Sequence, residues 1–197
     1  IMNSAGRNRF SNHLRIWLSR WRVWRAVNSG VTIGPGVQIG AGCDILLGGE
    51  PARRGRIALG AGCRLENDVV IRPYNGSVDI GRNVHLGPGT VIYGHGNVSL
   101  GDGCLIAPHC TLLSSNHDIP SIDQEIRDQP SIPLPCWVGR DVWLGAGVQV
   151  LGGVRIGDGC VVGAGSVVTG DLLAGAIAWG TPARIKKLRP EASPESL

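Results

Sequence analysis

From Ile33 the chain advances in steps of six. It reads Ile-Gly-Pro-Gly-Val-Gln, then Ile-Gly-Ala-Gly-Cys-Asp, and reaches Ile45. The same step recurs at Leu59, Leu65 and Ile71, at Ile80, Leu86 and Ile92, and at Leu100, Ile106 and Leu112. After an interruption it resumes at Val138, Leu144 and Val150, and again at Ile156, Val162 and Val168. A short fixed period constrains architecture more than local propensity does, because each unit buries its apolar residue against its neighbours. Eighteen aliphatic anchors in six groups of three predict a coil with three faces and every anchor pointing inward. Successive coils should stack at the inter-strand spacing of ~4.8 Å.

The fifth position of each step also points inward, where the coil is tight, and needs a small side chain. Cys43, Cys63, Cys104, Cys110 and Cys160 occupy it, as do Val37, Val69, Val84, Thr90, Val142, Val148 and Ser166. Five of the six cysteines are thereby read as reduced core residues, and no Cys-x-x-Cys spacing points to a metal or redox pair. Glycine supplies 31 of the 197 residues, more than twice the ordinary ~7%, and suits corners that need positive φ. The apolar share is an ordinary 43%, which excludes a disordered chain, and the lack of a Gly-X-Y period excludes collagen.

The net charge of +4 conceals an asymmetry. Residues 1–28 carry Arg7, Arg9, Arg15, Arg20, Arg22 and Arg25 and no acid, while the remainder is slightly acidic. A basic balance so confined does not point to nucleic-acid binding. No apolar run approaches the ~18 residues of a membrane span and no signal-peptide pattern opens the chain, so a cytoplasmic protein is expected. Within the basic segment Phe10, Leu14, Trp17, Trp21 and Trp24 follow at steps of four, three, four and three, along one face of a helix. The simpler reading is that this stripe caps the open lower end of the first coil. The other is an interfacial helix over residues 7–28 that holds the protein at the inner face of an anionic membrane.

Two stretches break the step. Residues 47–57 lengthen one corner into a basic loop, and residues 113–137 leave the repeat altogether. A loop that long in a compact solenoid usually carries function. His117 sits where the fourth coil gives way to it. An imidazole, with an unperturbed pKa of ~6.5, is the usual general base near neutral pH.

In its repeat, which covers residues 31 to about 189, the chain resembles the hexapeptide-repeat acyltransferases. The resemblance implies an all-β fold, a left-handed parallel β-helix, with an N-terminal amphipathic helix and a long loop after the fourth coil. The expected organisation is a basic helix at 1–30, the β-helix at 31–182 with its loop at 113–137, and a basic extension at 183–197. Ser114-Ser115-Asn116-His117-Asp118, after Leu-Ile-Ala-Pro-His-Cys-Thr-Leu-Leu, looks like the active-site segment of the sugar O-acetyltransferases of the maltose, galactoside and polysaccharide kinds. That likeness implies that His117 removes the proton of an acceptor hydroxyl, which then attacks the thioester of acetyl-CoA directly.

Toward the C-terminus, Val-Gly-Arg-Asp-Val-Trp-Leu-Gly-Ala-Gly, the run from Ile156 to Asp171, and Ala-Trp-Gly-Thr-Pro-Ala-Arg-Ile-Lys-Lys resemble the family's coenzyme A groove. The likeness implies that Trp143 and His85 line the substrate site and that the Ala146 N–H lies near the thioester carbonyl. It places Ala164 against the pantetheine arm with Thr169 beside it, and Arg184 and Lys187 at the phosphates or adenine end. The family's Asn one coil before the His segment is absent here, with Gly87 and Gly89 in its stretch, which leaves Asn116 as the candidate to position the acceptor. Gly170 stands where the family has Lys, and Trp179 where it has a small residue.

The acceptor implied is a saccharide, a surface-polysaccharide or glycan precursor, and the family's sites shared between chains imply a homotrimer. N-acetylation of an amino sugar or antibiotic is the alternative on the same scaffold. A trimeric metal-dependent hydratase of the γ-carbonic-anhydrase kind, or a structural β-helix, is the alternative of another class. His85, His109 and His117 lack the separations of that hydratase's three zinc ligands, so no metal is expected.

Overall fold

The computed structural model describes residues 17–48 and 54–190. Three sheets form the walls of a prism. The first face stacks Thr32–Ile33, Arg56–Leu59, Ser77–Ile80, Val98–Leu100, Cys136–Val138 and Arg155–Ile156, all parallel. The second stacks Gln38–Ile39, Arg64–Leu65, His85–Leu86, Leu105–Ile106, Trp143–Leu144 and Val161–Val162, and the third stacks Asp44–Ile45, Val70–Arg72, Val91–Tyr93, Thr111–Leu113, Gln149–Val150 and Val167–Val168. The registers pair anchor with anchor throughout, for example Leu86 with Ile106 and Ile106 with Leu144. Every anchor from Ile39 to Val168 is buried, and Ile33 on the lowest coil is half-buried. The period of six is therefore the structural repeat.

An incomplete seventh turn follows the six coils. Leu172 bridges to Ile156, and Ala176–Gly180 continues the second face in parallel with Val161–Val162. The chain then reverses at Thr181-Pro182, and Ala183–Leu188 returns antiparallel along Ala176–Gly180. The boundary expected at 182 falls in the turn of this hairpin, so Arg184 and Lys187 lie on a strand.

Glycine serves two separate needs. The glycine after an anchor has no room for a side chain: a Cβ on Gly60 would stand 2.5 Å from the backbone of Gly81 on the next coil, and one on Gly145 2.6 Å from the Ala164 nitrogen. The glycine in the turn is set by conformation instead. Gly165 has φ +67 and open space around it, a region where a side chain is strained. Sequence reasoning expected only the second need.

The fifth-position residues point inward as expected, with Cys63, Cys104, Cys110 and Cys160 buried and Cys43 half-buried at the lower end. Each thiol donates to a carbonyl of the coil above, as Cys104 does to Gly139 and Cys160 to Leu173 (3.0 and 2.9 Å). Cys136, outside the fifth-position set, is fully buried where the long loop rejoins the stack. Burial alone pushes its thiol up to about 12, and it is the main force driving Cys104 to about 11.

Residues 17–28 are helical and lie against the lower end. The tryptophan stripe does not form the cap. Ala26 is buried, and Leu18, Ser19, Arg22 and Val23 are half-buried. Ser19 Oγ accepts from the Ile39 amide at 2.9 Å, and Arg22 Nη1 donates to the Ile39 carbonyl at 3.2 Å. Trp17, Trp21 and Trp24 face outward, exposed by 63%, 45% and 61%. Small and polar groups fit the narrow coil end and satisfy its free strand edge, which three indole rings would leave unpaired. Phe10, Leu14 and part of the 47–57 loop lie outside the described residues.

Candidate functional site

All the irregular connections leave the prism at one corner, between the third and first faces. There the chain takes nine residues from Ile71 to Ile80 and eight from Ile92 to Leu100, and the 113–137 stretch departs from the same corner one coil higher. That stretch is built as a hairpin. Ser115–His117 pairs antiparallel with Ser131–Pro133, with His117 opposite Ser131, and a 3₁₀ turn at Ile126–Asp128 lies near its tip.

Two buried polar side chains hold the hairpin. Ser114 Oγ donates to the Tyr93 carbonyl at 2.8 Å and accepts from the Gly96 amide at 2.9 Å, which ties its base to the coil below. Gln129 secures the tip: Nε2 donates to the Ser121 and Gln124 carbonyls, and Oε1 accepts from the Ser121 amide. Asn116 Oδ1 accepts from the His117 amide at 2.9 Å. The His117 and Asn116 side chains are exposed on this anchored strand. A base presented to solvent on a fixed hairpin can meet an acceptor without a rearrangement of the coil.

Sequence reasoning missed a cluster at this corner. Tyr74 and His95 stack with ring centroids 3.7 Å apart, and Tyr93 meets the Tyr74 ring edge-on at 5.5 Å. His95 Nδ1 is buried with no hydrogen-bond partner among the described residues. Burial first, and then the charge of His117, lower the His95 pKa from its ordinary value. His95 is thus kept neutral near pH 7. Its signal was present in the sequence as the break in the six-residue step at Tyr93-Gly94-His95-Gly96.

The residues expected to bind coenzyme stand elsewhere. On the second face, the outward row runs His85, Leu105, Trp143, Val161, Ile177 and Lys187 by register, so His85 and Trp143 share one surface two coils apart. His85 Nε2 is 4.0 Å from Glu66 Oε1 on that surface. Trp143 is half exposed, and Arg184 pairs with Trp179 on the top strands. Ala146 and Ala164 occupy successive turns at the corner between the second and third faces, where the Gly165 amide donates to the Ala146 carbonyl at 2.8 Å. Ala146 and Ala164 are both exposed, and neither amide donates to another described residue, so two N–H groups one coil apart are left without a partner among the described residues. That is a fit for an extended ligand with carbonyl groups along its length. Thr169 is not beside Ala164: it follows Val167–Val168, at the next corner.

A single chain therefore divides the set. His117, Asn116 and Thr169 belong to the corner between the third and first faces, whereas Trp143, His85, Ala146, Ala164, Arg184 and Lys187 belong to the second face and its far corner. Among the described residues no group of three or more His, Cys, Asp or Glu side chains could hold a metal ion.

Comparison with known proteins bears on the repeat and the fold. The pattern described as bacterial transferase hexapeptide (six repeats) matches residues 135–170, and the hexapeptide repeat of succinyl-transferase matches residues 77–107. The probable acetyltransferase of Mycobacterium tuberculosis is 33% identical over 171 residues, 86% of this chain and 56% of that protein. The chain thus spans little more than half the length of that relative. Among solved structures, the N-acyltransferase AntD of Bacillus cereus, in complex with dTDP-4-amino-4,6-dideoxyglucose and coenzyme A, superposes with a TM-score of 0.71 at 22% identity, covering 86% of this chain and 89% of that one. A maltose O-acetyltransferase of Clostridium difficile gives 0.55 at 22% identity, over 81% and 70%. Repeat, wall and relatives coincide: the chain carries the hexapeptide repeat of bacterial transferases, is similar to acetyltransferases, and folds as a left-handed parallel β-helix.

Proposed function

We propose that the protein transfers an acetyl group from acetyl-CoA to a hydroxyl of a saccharide, a surface-polysaccharide or glycan precursor, with His117 as general base. The observation that carries this reading is the placement of His117, exposed on a hairpin that Ser114 and Gln129 hold rigid. A hydroxyl is a poor nucleophile until its proton has somewhere to go, and an imidazole on a fixed strand accepts it. The acceptor oxygen then attacks the thioester carbonyl. The negative charge that develops on the carbonyl oxygen is met by the free Ala146 N–H, an oxyanion donor of the usual kind. Collapse breaks the carbon–sulfur bond, and the thiolate leaves with the proton carried by His117. Asn116 positions the acceptor beside it.

The division of the residues between two corners supports a homotrimer in which the hairpin of one chain faces the Trp143–Ala146 surface of its neighbour. Arg184 and Lys187, exposed on the top strand, suit the phosphates of the same coenzyme.

The test is thiol release from acetyl-CoA against a panel of hydroxyl and amine acceptors. His117→Ala should lower kcat about 10²–10⁴-fold with coenzyme binding nearly intact. A residual rate within about threefold of wild type would overturn the assignment, since a base contributes far more than that. Turnover of amines alone would replace the hydroxyl reading with N-acetylation. A chelator should not change the rate, and light scattering that gives a monomer at micromolar concentration would overturn the shared site.

A further inference from the structure

We propose that the outward face of the N-terminal helix docks on an anionic lipid surface, with Trp17, Trp21 and Trp24 seated among the headgroups. Residues 17–28 form a helix with two distinct arcs. Leu18, Ser19, Arg22, Val23 and Ala26 fill one arc and pack on the lowest coil. The opposite arc carries Trp17, Trp24 and Trp21 at its centre, Arg20 and Val27 on one flank and Arg25 on the other, and all six are exposed. Among the described residues the cap is complete without the tryptophans, and packing between those residues gives no reason for them.

Three indoles in line on a solvent face are costly in water. An indole has an apolar body and a polar N–H, which suits the headgroup level of a bilayer better than either water or a dry core. The flanking charges select the sign of that surface. Arg25 reaches over the Trp21 ring at 5.0 Å, so a cation lies among the rings and would meet lipid phosphates as they insert. Residues 17–43 carry no acid, and Asp44 is engaged by Arg72. The outward arc is therefore apolar at its centre and basic at its margins, as an interfacial helix on anionic lipid requires. The helix also lies at the lower end of the prism, against the first coil. No helix among the described residues is long and apolar enough to cross a membrane, which leaves binding at the surface.

The test is co-sedimentation of the full chain with phosphatidylglycerol/phosphatidylcholine vesicles at low salt, beside vesicles of phosphatidylcholine alone. Wild type should pellet with the anionic vesicles and lose most of that binding at high salt. The triple variant Trp17→Ser, Trp21→Ser, Trp24→Ser should bind about tenfold or more weakly. Its melting temperature should not move, because the cap uses the other arc. The double variant Arg20→Gln, Arg25→Gln should weaken anionic binding selectively. Absence of wild-type pelleting, or equal pelleting of the triple variant, would overturn the proposal. So would concentration-dependent self-association that the triple variant abolishes, because a second copy would then cover the stripe. Thiol release with a soluble acceptor is read separately in every variant and does not bear on the docking.

Discussion

The two corners that flank the third face are built from the same chain and behave in opposite ways. Between the second and third faces every turn has one length, and Ala146 and Ala164 hold equivalent places on successive coils. Between the third and first faces the connections vary, and they carry Tyr74, His95 and the His117 hairpin. Regular turns bring backbone N–H groups into line, which suits an elongated ligand. Irregular ones release side chains from the inward and outward alternation of the wall, which suits a reacting group. The repeat thus supplies a regular rail, and its violations supply the His and Tyr side chains gathered at one corner.

The sharpest contrast concerns reactivity. If the wall is inert and the irregular corner active, native protein at neutral pH should resist thiol alkylation. With Cys136 pushed up to about 12, its thiolate fraction falls on the order of 10³-fold below that of an ordinary exposed thiol. Activity should survive the reagent, and rapid loss of activity with alkylation of a single cysteine would break the contrast and revive an acyl-cysteine route.

Stability should divide the same way. Leu144→Ala, at a fully buried anchor of the regular wall, should cost about 2–5 kcal/mol in denaturant unfolding. Ile122→Ala, exposed by 98% on the hairpin, should stay within about 0.5 kcal/mol of wild type. A comparable loss at both positions would mean that the hairpin is part of the core.

A smaller effect tests the rail itself. Gly145→Ala places a methyl 2.6 Å from the Ala164 nitrogen and should cost about 1–3 kcal/mol, with a raised KM for acetyl-CoA and a largely kept kcat. A change in kcat with KM untouched would detach Ala146 and Ala164 from coenzyme binding.

The mildest test is pH. Burial lowers the His95 pKa in the folded state, so below the ordinary value of ~6.5 the unfolded chain binds the proton more readily. Stability from this group is therefore full above that pH and declines as pH falls toward the folded pKa. His95→Asn should flatten the melting temperature between pH 7 and the acid side, and an unchanged slope would remove His95 from the account.

These outcomes bear on what a sequence can show. The wall was legible to the residue, because a period of six with aliphatic anchors leaves one way to bury them. The departure of the chain from the wall before His117 was legible as the end of the period, whereas its antiparallel pairing with Ser131–Pro133 was not. The Tyr74–His95 stack was not, since it pairs residues from two irregular connections whose paths no period dictates. The helix was legible as a cap, yet the wrong face was assigned to it. Hydrophobicity marks both a buried stripe and an interfacial one, and the choice rested on the fit of Ala26 and Ser19 to a narrow coil end. Close approach, as at Gly60, is likewise invisible until two coils are stacked.

The reversed strand at the top, Ala183–Leu188, bears on how such a wall stops growing. A stack of parallel coils ends in a row of unsatisfied strand groups on which another chain could lay down its own first coil, copy upon copy, into a filament. Ala183–Leu188 occupies that row on the second face running the other way, with a register shift at Ile177/Ala178 and Arg184, Lys186 and Lys187 along it. An incoming coil would meet the wrong polarity, a broken ladder and a line of like charges. The strand whose cations we propose for the coenzyme phosphates thus also closes the upper edge of the second face to a further parallel coil.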